Sequence, residues 1–255
     1  MAELKQIQRS KIIEGRVVSN EALAQRLYAL RVEVGPSHFE AGQFARLELL
    51  INGEKVARPY SLVSISGDPI EEFFYNTVPS GQLSNALAEL RKDDIVGVSQ
   101  PPTGFFVLDG VPDARDLWLI ATGTGLGPYL SLLRTHQLWE RFENVVLVHG
   151  VPYCEELVYQ GVINQLQLLY PERFRYISCI SREANPTGLS GRITETLGSG
   201  QLETLAGIRI SKSTSSIMLC GNHSMINDTQ ALLSERGLQK HMRHKPGQII
   251  SEQYF

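Results

Sequence analysis

Up to about Leu108, apolar and polar positions alternate in short runs broken by turn residues, a pattern that predicts the strands of a small antiparallel barrel. The runs lie at 15–19, 27–33, 43–50, 56–64, 73–78 and 95–99. Turn chemistry separates them at Gly35-Pro36, Asn52-Gly53, Gly67-Asp68-Pro69 and Pro101-Pro102. One helix is expected inside this half, because Leu83, Leu87 and Leu90, with Ala86 beside them, keep one face at helical spacing. After the polar stretch Asp109-Gly110-Val111-Pro112-Asp113 the rhythm changes. Nearly continuous apolar runs at 116–121, 145–149, 175–181 and 217–220 alternate with helical patterns at 128–135, 157–169, 193–197 and 225–235. Strands apolar on both faces, alternating with helices, predict a parallel sheet covered on both sides. The expected architecture is therefore two-domain: an antiparallel β-barrel over 1–110 and a Rossmann-like α/β unit over 111–255.

Composition narrows the function classes more than the fold. A chain of 255 residues has room for two cores, and 42% hydrophobic with 20% charged residues describes a globular protein. A net charge of −3 gives no global attraction to nucleic acid or to an anionic membrane. Three widely spaced cysteines, Cys154, Cys179 and Cys220, supply neither a four-thiolate metal site nor an even disulfide set. The start, Met1-Ala2-Glu3-Leu4-Lys5-Gln6, lacks the apolar core of a signal peptide, and no apolar run reaches membrane-spanning length. A cytoplasmic monomer is expected.

Candidate chemistry begins at Arg58-Pro59-Tyr60-Ser61. The preceding Asn52-Gly53 suits a type I′ hairpin turn, and Pro59 removes a backbone donor, so this strand should be interrupted or lie at an edge. A guanidinium, a phenol and a hydroxyl with little backbone freedom between them suit a ligand anionic at one end and aromatic at the other. Read alone, the tetrapeptide is better explained as an ordinary barrel strand with a surface Arg and a packed Tyr. Gly81-Gln82-Leu83-Ser84 opens the first helix, where unpaired amides and the dipole favour a phosphate; a plain turn and N-cap is the simpler account. The first strand of the second half ends in Thr122-Gly123-Thr124-Gly125-Leu126-Gly127-Pro128, a glycine-rich strand-to-helix loop of the kind that holds pyrophosphates. It departs from GxGxxG at Pro128, and no acidic residue closes the next strand, which ends in His149-Gly150. Ser181-Arg182, and Arg192 after a loop, stand where a ribose 2′-phosphate could be bound, or are merely solvated. Cys220-Gly221-Asn222 ends the last such strand, with Cys220 expected at the tip facing a ligand, although a lone Cys is more often core filler, and with Ser224 expected to cap the helix that follows.

The order of these pieces, ending in Tyr254-Phe255, resembles the ferredoxin–NADP⁺ reductase family, closest to the bacterial ferredoxin/flavodoxin reductases, over nearly the whole chain. The resemblance implies an FAD-binding barrel and an NADP-binding α/β domain. It implies that Arg58 contacts the FAD pyrophosphate, that Tyr60 lies against the isoalloxazine, and that Pro59 and Tyr75 belong to the same site. Gly81, Gln82, Leu83 and Ser84 would form a second phosphate cradle, with Phe255, beside Tyr254, on the adenine. Ser61, near flavin N5, and Cys220, near the nicotinamide, are the implied catalytic residues. Thr124 would lie near both rings. Gly123, Gly125, Ser181, Arg182, Arg192, Asn222, His223, Ser224 and Asp228 would border NADP, with the two arginines and Ser181 on the 2′-phosphate. Related bacterial enzymes often carry a further Arg shortly after the second strand of the α/β domain, whereas Val151-Pro152-Tyr153 stands here. The implied partner is an acidic ferredoxin or flavodoxin, with Lys240-His241-Met242-Arg243-His244-Lys245 and barrel arginines as a docking surface. An NADH-using oxygenase reductase and a non-catalytic flavin-binding regulator remain as alternatives.

Overall fold

The computed structural model describes residues 10–242 and 244–253. Six strands, β1 (Lys11–Ala24), β2 (Leu27–Glu33), β3 (Phe44–Ile51), β4 (Glu54–Ser61), β5 (Ile70–Asn76) and β6 (Ile95–Gln100), pair antiparallel in the order β4-β3-β6-β1-β2-β5. Leu62, just past β4, bridges Phe73 of β5, and the Val63 N–H donates to the Glu72 carbonyl at 2.8 Å, so the curled sheet closes on itself at that corner. The β3–β4 hairpin turns through Asn52 (φ 52°) and Gly53 (φ 83°), the left-handed pair a type I′ turn requires. Pro59 sits on β4, the edge of the pairing order, where a missing amide costs no ladder bond. Helix α1 (Gln82–Ala88) plugs the barrel, burying Leu83 and Leu87 with Val17, Leu47, Phe73 and Tyr75.

The second sheet is parallel, with β7 (Asp116–Thr122), β8 (Asn144–Val151), β9 (Phe174–Ile180), β10 (Leu189–Ser190), β11 (Ser215–Gly221) and β12 (Ile249–Gln253) in the order β10-β9-β8-β7-β11-β12. Helices α2 (Gly127–Leu133), α3 (His136–Arg141), α4 (Gln160–Leu169), α5 (Ile193–Gly198), α6 (Gln201–Ala206) and α7 (His223–Glu235) accompany this sheet. The period of two divides β7 between two cores. Trp118 and Ile120 pack with α5, α6 and α7, whereas Leu117, Leu119 and Ala121 face a second cluster that also holds Leu27, Val63 and Phe74 of the barrel. One apolar core thus runs through both halves. Polar ties cross the same seam: the Tyr159 hydroxyl donates to Glu72 Oε1 at 2.7 Å, and Glu72 Oε2 accepts from Arg31 Nε at 3.0 Å. Ser131 Oγ donates to the Ser64 carbonyl at 2.7 Å, and Arg134 to that of Val63 at 3.1 Å.

Several elements differ from expectation. β1 runs over Lys11–Ala24 rather than 15–19, because it pairs first with β6 and then with β2, which no local pattern reveals. α4 begins at Gln160, not at 157, since Tyr159 is left-handed at φ 59° and a one-turn helix, Cys154–Glu156, precedes it. The short α3, α6 and β10 were not expected, nor was β12, which exists through its pairing with β11. Among the described residues no helix is long and apolar enough to cross a membrane.

Candidate functional site

The carboxyl ends of β7, β8, β9 and β11 open on one edge, the ligand-binding edge of open parallel sheets. A cleft of about 990 Å³ lies there, walled on the other side by barrel residues 25–27 and 76–79. Gly123, Thr124, Ser181, Arg182, Arg192, Asn222, Ser224 and Asp228 all line it, so most of the nucleotide residues expected from sequence meet in one place. Gly125 and His223 do not line it. A Cβ on Gly125 would stand 2.5 Å from the Cys220 carbonyl oxygen, so this glycine lets the loop touch the tip of β11. His223 is held at the start of α7, with Nδ1 at 3.0 Å from Gln253 Oε1.

Two strand tips lock together beneath the cleft. Gly221 has φ 125°, and a Cβ there would lie 2.7 Å from the Thr122 carbonyl oxygen; Thr122 Oγ1 in turn accepts from the Asn222 N–H at 2.8 Å. The cap of α7 is Asn222 and not Ser224: Asn222 Oδ1 accepts from the Ser224 N–H at 2.9 Å and the Met225 N–H at 3.4 Å. Ser224 is thereby left in the first turn, facing the cleft. His149 is fully buried under the glycine loop, and burial pushes its imidazole down to about 4. The neutral ring therefore donates from Nε2 to the Gly123 carbonyl at 3.0 Å, leaving Nδ1 without a partner. At the far end Arg182 lies over the Tyr153 ring at 5.8 Å, beside Glu155 and Glu156. Burial raises the Glu156 carboxyl, against a backbone hydrogen bond from Tyr153 and the pull of Arg182.

On the barrel, Arg58 and Tyr60 are two residues apart and share a face of β4. Arg58 is exposed, with one guanidinium nitrogen donating to the Ala57 carbonyl at 2.8 Å. Tyr60 is half-buried and meets Tyr75 edge-on at 5.9 Å; burial pushes its phenol up to about 12. Ser61 is buried at the end of β4, opposite Phe44. Tyr75 lies inside the barrel at 2% exposure, stacked on Tyr28 at 5.5 Å, its hydroxyl donating to Asn20 Oδ1 at 3.2 Å. It props Tyr60 from within instead of presenting a surface. α1 packs on β3 and β4, so the helix that follows Gly81 lies against the Arg58 strand. Gln82 is exposed there, but Leu83 is turned into the core, and Ser84 Oγ accepts from the Val78 N–H at 3.2 Å. A Cβ on Gly81 would lie 2.6 Å from Ser84 Oγ, so the glycine is needed by the turn itself.

The family described as the oxidoreductase NAD-binding domain matches residues 119–231. The flavodoxin/ferredoxin–NADP reductase of Shigella flexneri is 43% identical over 244 residues, covering 95% of this chain and 98% of that protein. Its counterpart in Escherichia coli strain K12 is 42% identical over the same shares. A crystal structure of a ferredoxin NADP⁺ reductase from Neisseria gonorrhoeae, with bound FAD and NADP, has a TM-score of 0.90 at 31% identity and covers 97% of this chain and 100% of that one. The chain belongs to the flavodoxin/ferredoxin–NADP reductase family.

In this member of the reductase family, Cys220 and Glu252 stand side by side in register near the sheet edge. Cys220 was expected at a strand tip facing the ligand. Its side chain is instead fully buried, in the core shared with Phe74 and Leu126. Beside it in register on β12 stands Glu252, whose Oε2 is buried without a partner and whose carboxyl burial pushes up to about 7. Sequence reasoning missed Glu252, because a lone Glu in Ile-Ile-Ser-Glu-Gln reads as a solvated tail; only the β11–β12 pairing gives it a role. It also missed Asn76, Thr77 and Val78, whose loop forms the barrel wall of the cleft, and Tyr153 with Glu155 and Glu156. Tyr254 and Phe255 lie outside the described residues.

Proposed function

We propose that this chain is an FAD-dependent oxidoreductase that exchanges electrons between NADPH and the one-electron carriers ferredoxin or flavodoxin. The observation that carries the reading is the cleft itself: a glycine-rich loop and two arginines on the sheet edge face a barrel wall, in a chain 43% identical to a flavodoxin/ferredoxin–NADP reductase. In this reading residues 1–110 are the FAD-binding unit and 111–255 the NADP-binding unit.

The residues present fit both cofactors. Gly123 (φ 51°) has nothing within 4 Å of where a Cβ would stand, so the loop leaves room for a pyrophosphate. Arg58 would hold the FAD phosphates with the Gly81–Ser84 turn, Tyr60 would back the flavin ring, and Ser61 would stand at its reactive edge. When bound, the flavin accepts a hydride from NADPH and releases electrons singly. The chain's own work is positional. Thr124 and the Thr122–Gly221 lock fix the nicotinamide end, Arg182, Arg192 and Ser181 fix the 2′-phosphate, and the apolar seam around Cys220 excludes water. Glu252, with its carboxyl near neutrality, can hold a proton beside Cys220. The exposed Lys240, His244 and Lys245 offer an acidic carrier a docking point; Arg243 lies outside the described residues. The reading is of a monomer acting in the cytoplasm.

Purified protein should be yellow and should release FAD, not FMN, on denaturation. With ferricyanide as acceptor it should oxidise NADPH. Colourless protein that FAD cannot reconstitute would end this reading.

A further inference from the structure

We propose that Glu155 and Glu156 are specificity-determining residues that oppose the 2′-phosphate at the adenosine end of the cleft and hold down its preference for NADPH over NADH. The inference rests on the nucleotide-binding reading given above.

Backbone pairing fixes the arrangement. Past the tips of β8 and β9 the chains stay joined, the Ser181 N–H donating to the Val151 carbonyl and the Arg182 N–H to that of Pro152, each at 3.0 Å. The Cys154 N–H donates to the Glu183 carboxylate, pinning the following turn to the same corner. Arg182 is therefore held beside segment 152–156, with its guanidinium over Tyr153. Along this wall the cleft lining carries two guanidinium groups, Arg182 and Arg192, and two carboxylates, Glu155 and Glu156. Pro152 adds no backbone donor. A phosphate monoester brings a charge of about −1.5 to −2 at neutral pH. It gains from the arginines and loses to the glutamates, whereas the 2′-hydroxyl of NADH carries no charge for either pair to act on. Half-buried Glu156 should have the larger effect, because salt screens a partly buried charge less than exposed Glu155.

The test compares Glu155→Gln, Glu156→Gln, the double variant and Arg182→Ala with the parent. Isothermal titration of the flavin-loaded protein with 2′-phospho-AMP and with AMP gives an affinity ratio. Steady-state ferricyanide reduction gives the ratio of kcat/KM for NADPH over NADH. Each glutamine should raise both ratios roughly two- to fivefold, the range expected for one exposed or half-exposed charge pair. Arg182→Ala should lower both. If the double variant folds with an unchanged Tm and neither ratio rises, the glutamates do not oppose the 2′-phosphate and the proposal is overturned. If Arg182→Ala also changes neither ratio, it is the placement of the nucleotide that is wrong, a separate failure.

Discussion

A guanidinium that reads a phosphate is recognised by what its loss does to two substrates at once. Arg182→Ala should lower kcat/KM for NADPH about tenfold or more and cost NADH much less, since hydrogen bonds to charged groups contribute about 1.5–3 kcal/mol and only NADPH carries the group. Equal losses, measured side by side, would remove Arg182 from the 2′-phosphate site. Glu252 is tested by pH. Its carboxyl is raised from 4.5 to about 7 by burial, so the folded chain binds this proton more tightly than the unfolded one. The resulting stability is fully present below pH 4.5 and is lost as pH rises through 7. Glu252→Gln should abolish this part of the pH dependence and gain on the order of 2 kcal/mol relative to the parent at pH 8. Urea midpoints at pH 5 and pH 8 measure it; parallel pH profiles would show that Glu252 is hydrated in the folded protein. The two residues also differ in legibility. Arg182 follows a parallel strand directly and could be placed from sequence, whereas Glu252 owes its place beside Cys220 to pairing with a strand distant along the chain.

At the scale of elements, the tips of β7 and β11 are tied through Thr122, Gly221 and Asn222. Gly221→Ala forces a Cβ onto Thr122 at a φ of 125°, a conformation costing about 1–3 kcal/mol for a residue with a side chain. The tie should break, lowering Tm and weakening NADPH and NADH alike, in contrast to the selective loss at Arg182. Unchanged binding would mean that the tips keep their places without it. Elements of this kind were legible where one local signal sufficed: Asn52-Gly53 for the hairpin, the leucine spacing for α1, the apolar runs for β7, β8, β9 and β11. They were not legible where pairing with a distant strand creates the element, as for both ends of β1 and for β12. The same holds in the site. The glycine loop was visible in sequence, but the reasons for its glycines divide: Gly123 leaves open space, while Gly125 and Gly221 are pressed by neighbouring backbone.

For the whole molecule, the Tyr159–Glu72–Arg31 tie and the core through Leu27, Val63 and Phe74 join the barrel to the parallel sheet. Tyr159→Phe removes the hydroxyl that donates to Glu72, a residue 7% exposed, and should cost about 1.5–3 kcal/mol. Urea unfolding followed by tyrosine fluorescence and circular dichroism should show coincident transitions in parent and variant, both moved to lower urea in the variant. Separate transitions would mean that the halves unfold independently despite the seam. The seam also bears on how such chains can be recombined. A hybrid that joins this barrel to a relative's α/β half at residue 110 would cut the covalent link in a sensible place and still fail at the interface, because Val63, Glu72 and Phe74 would meet side chains selected against other partners. The exchangeable piece is the barrel together with α2, whose Ser131 grips it, and with Tyr159 at the head of α4. Grafts that carry those residues along should fold where grafts at the linker do not.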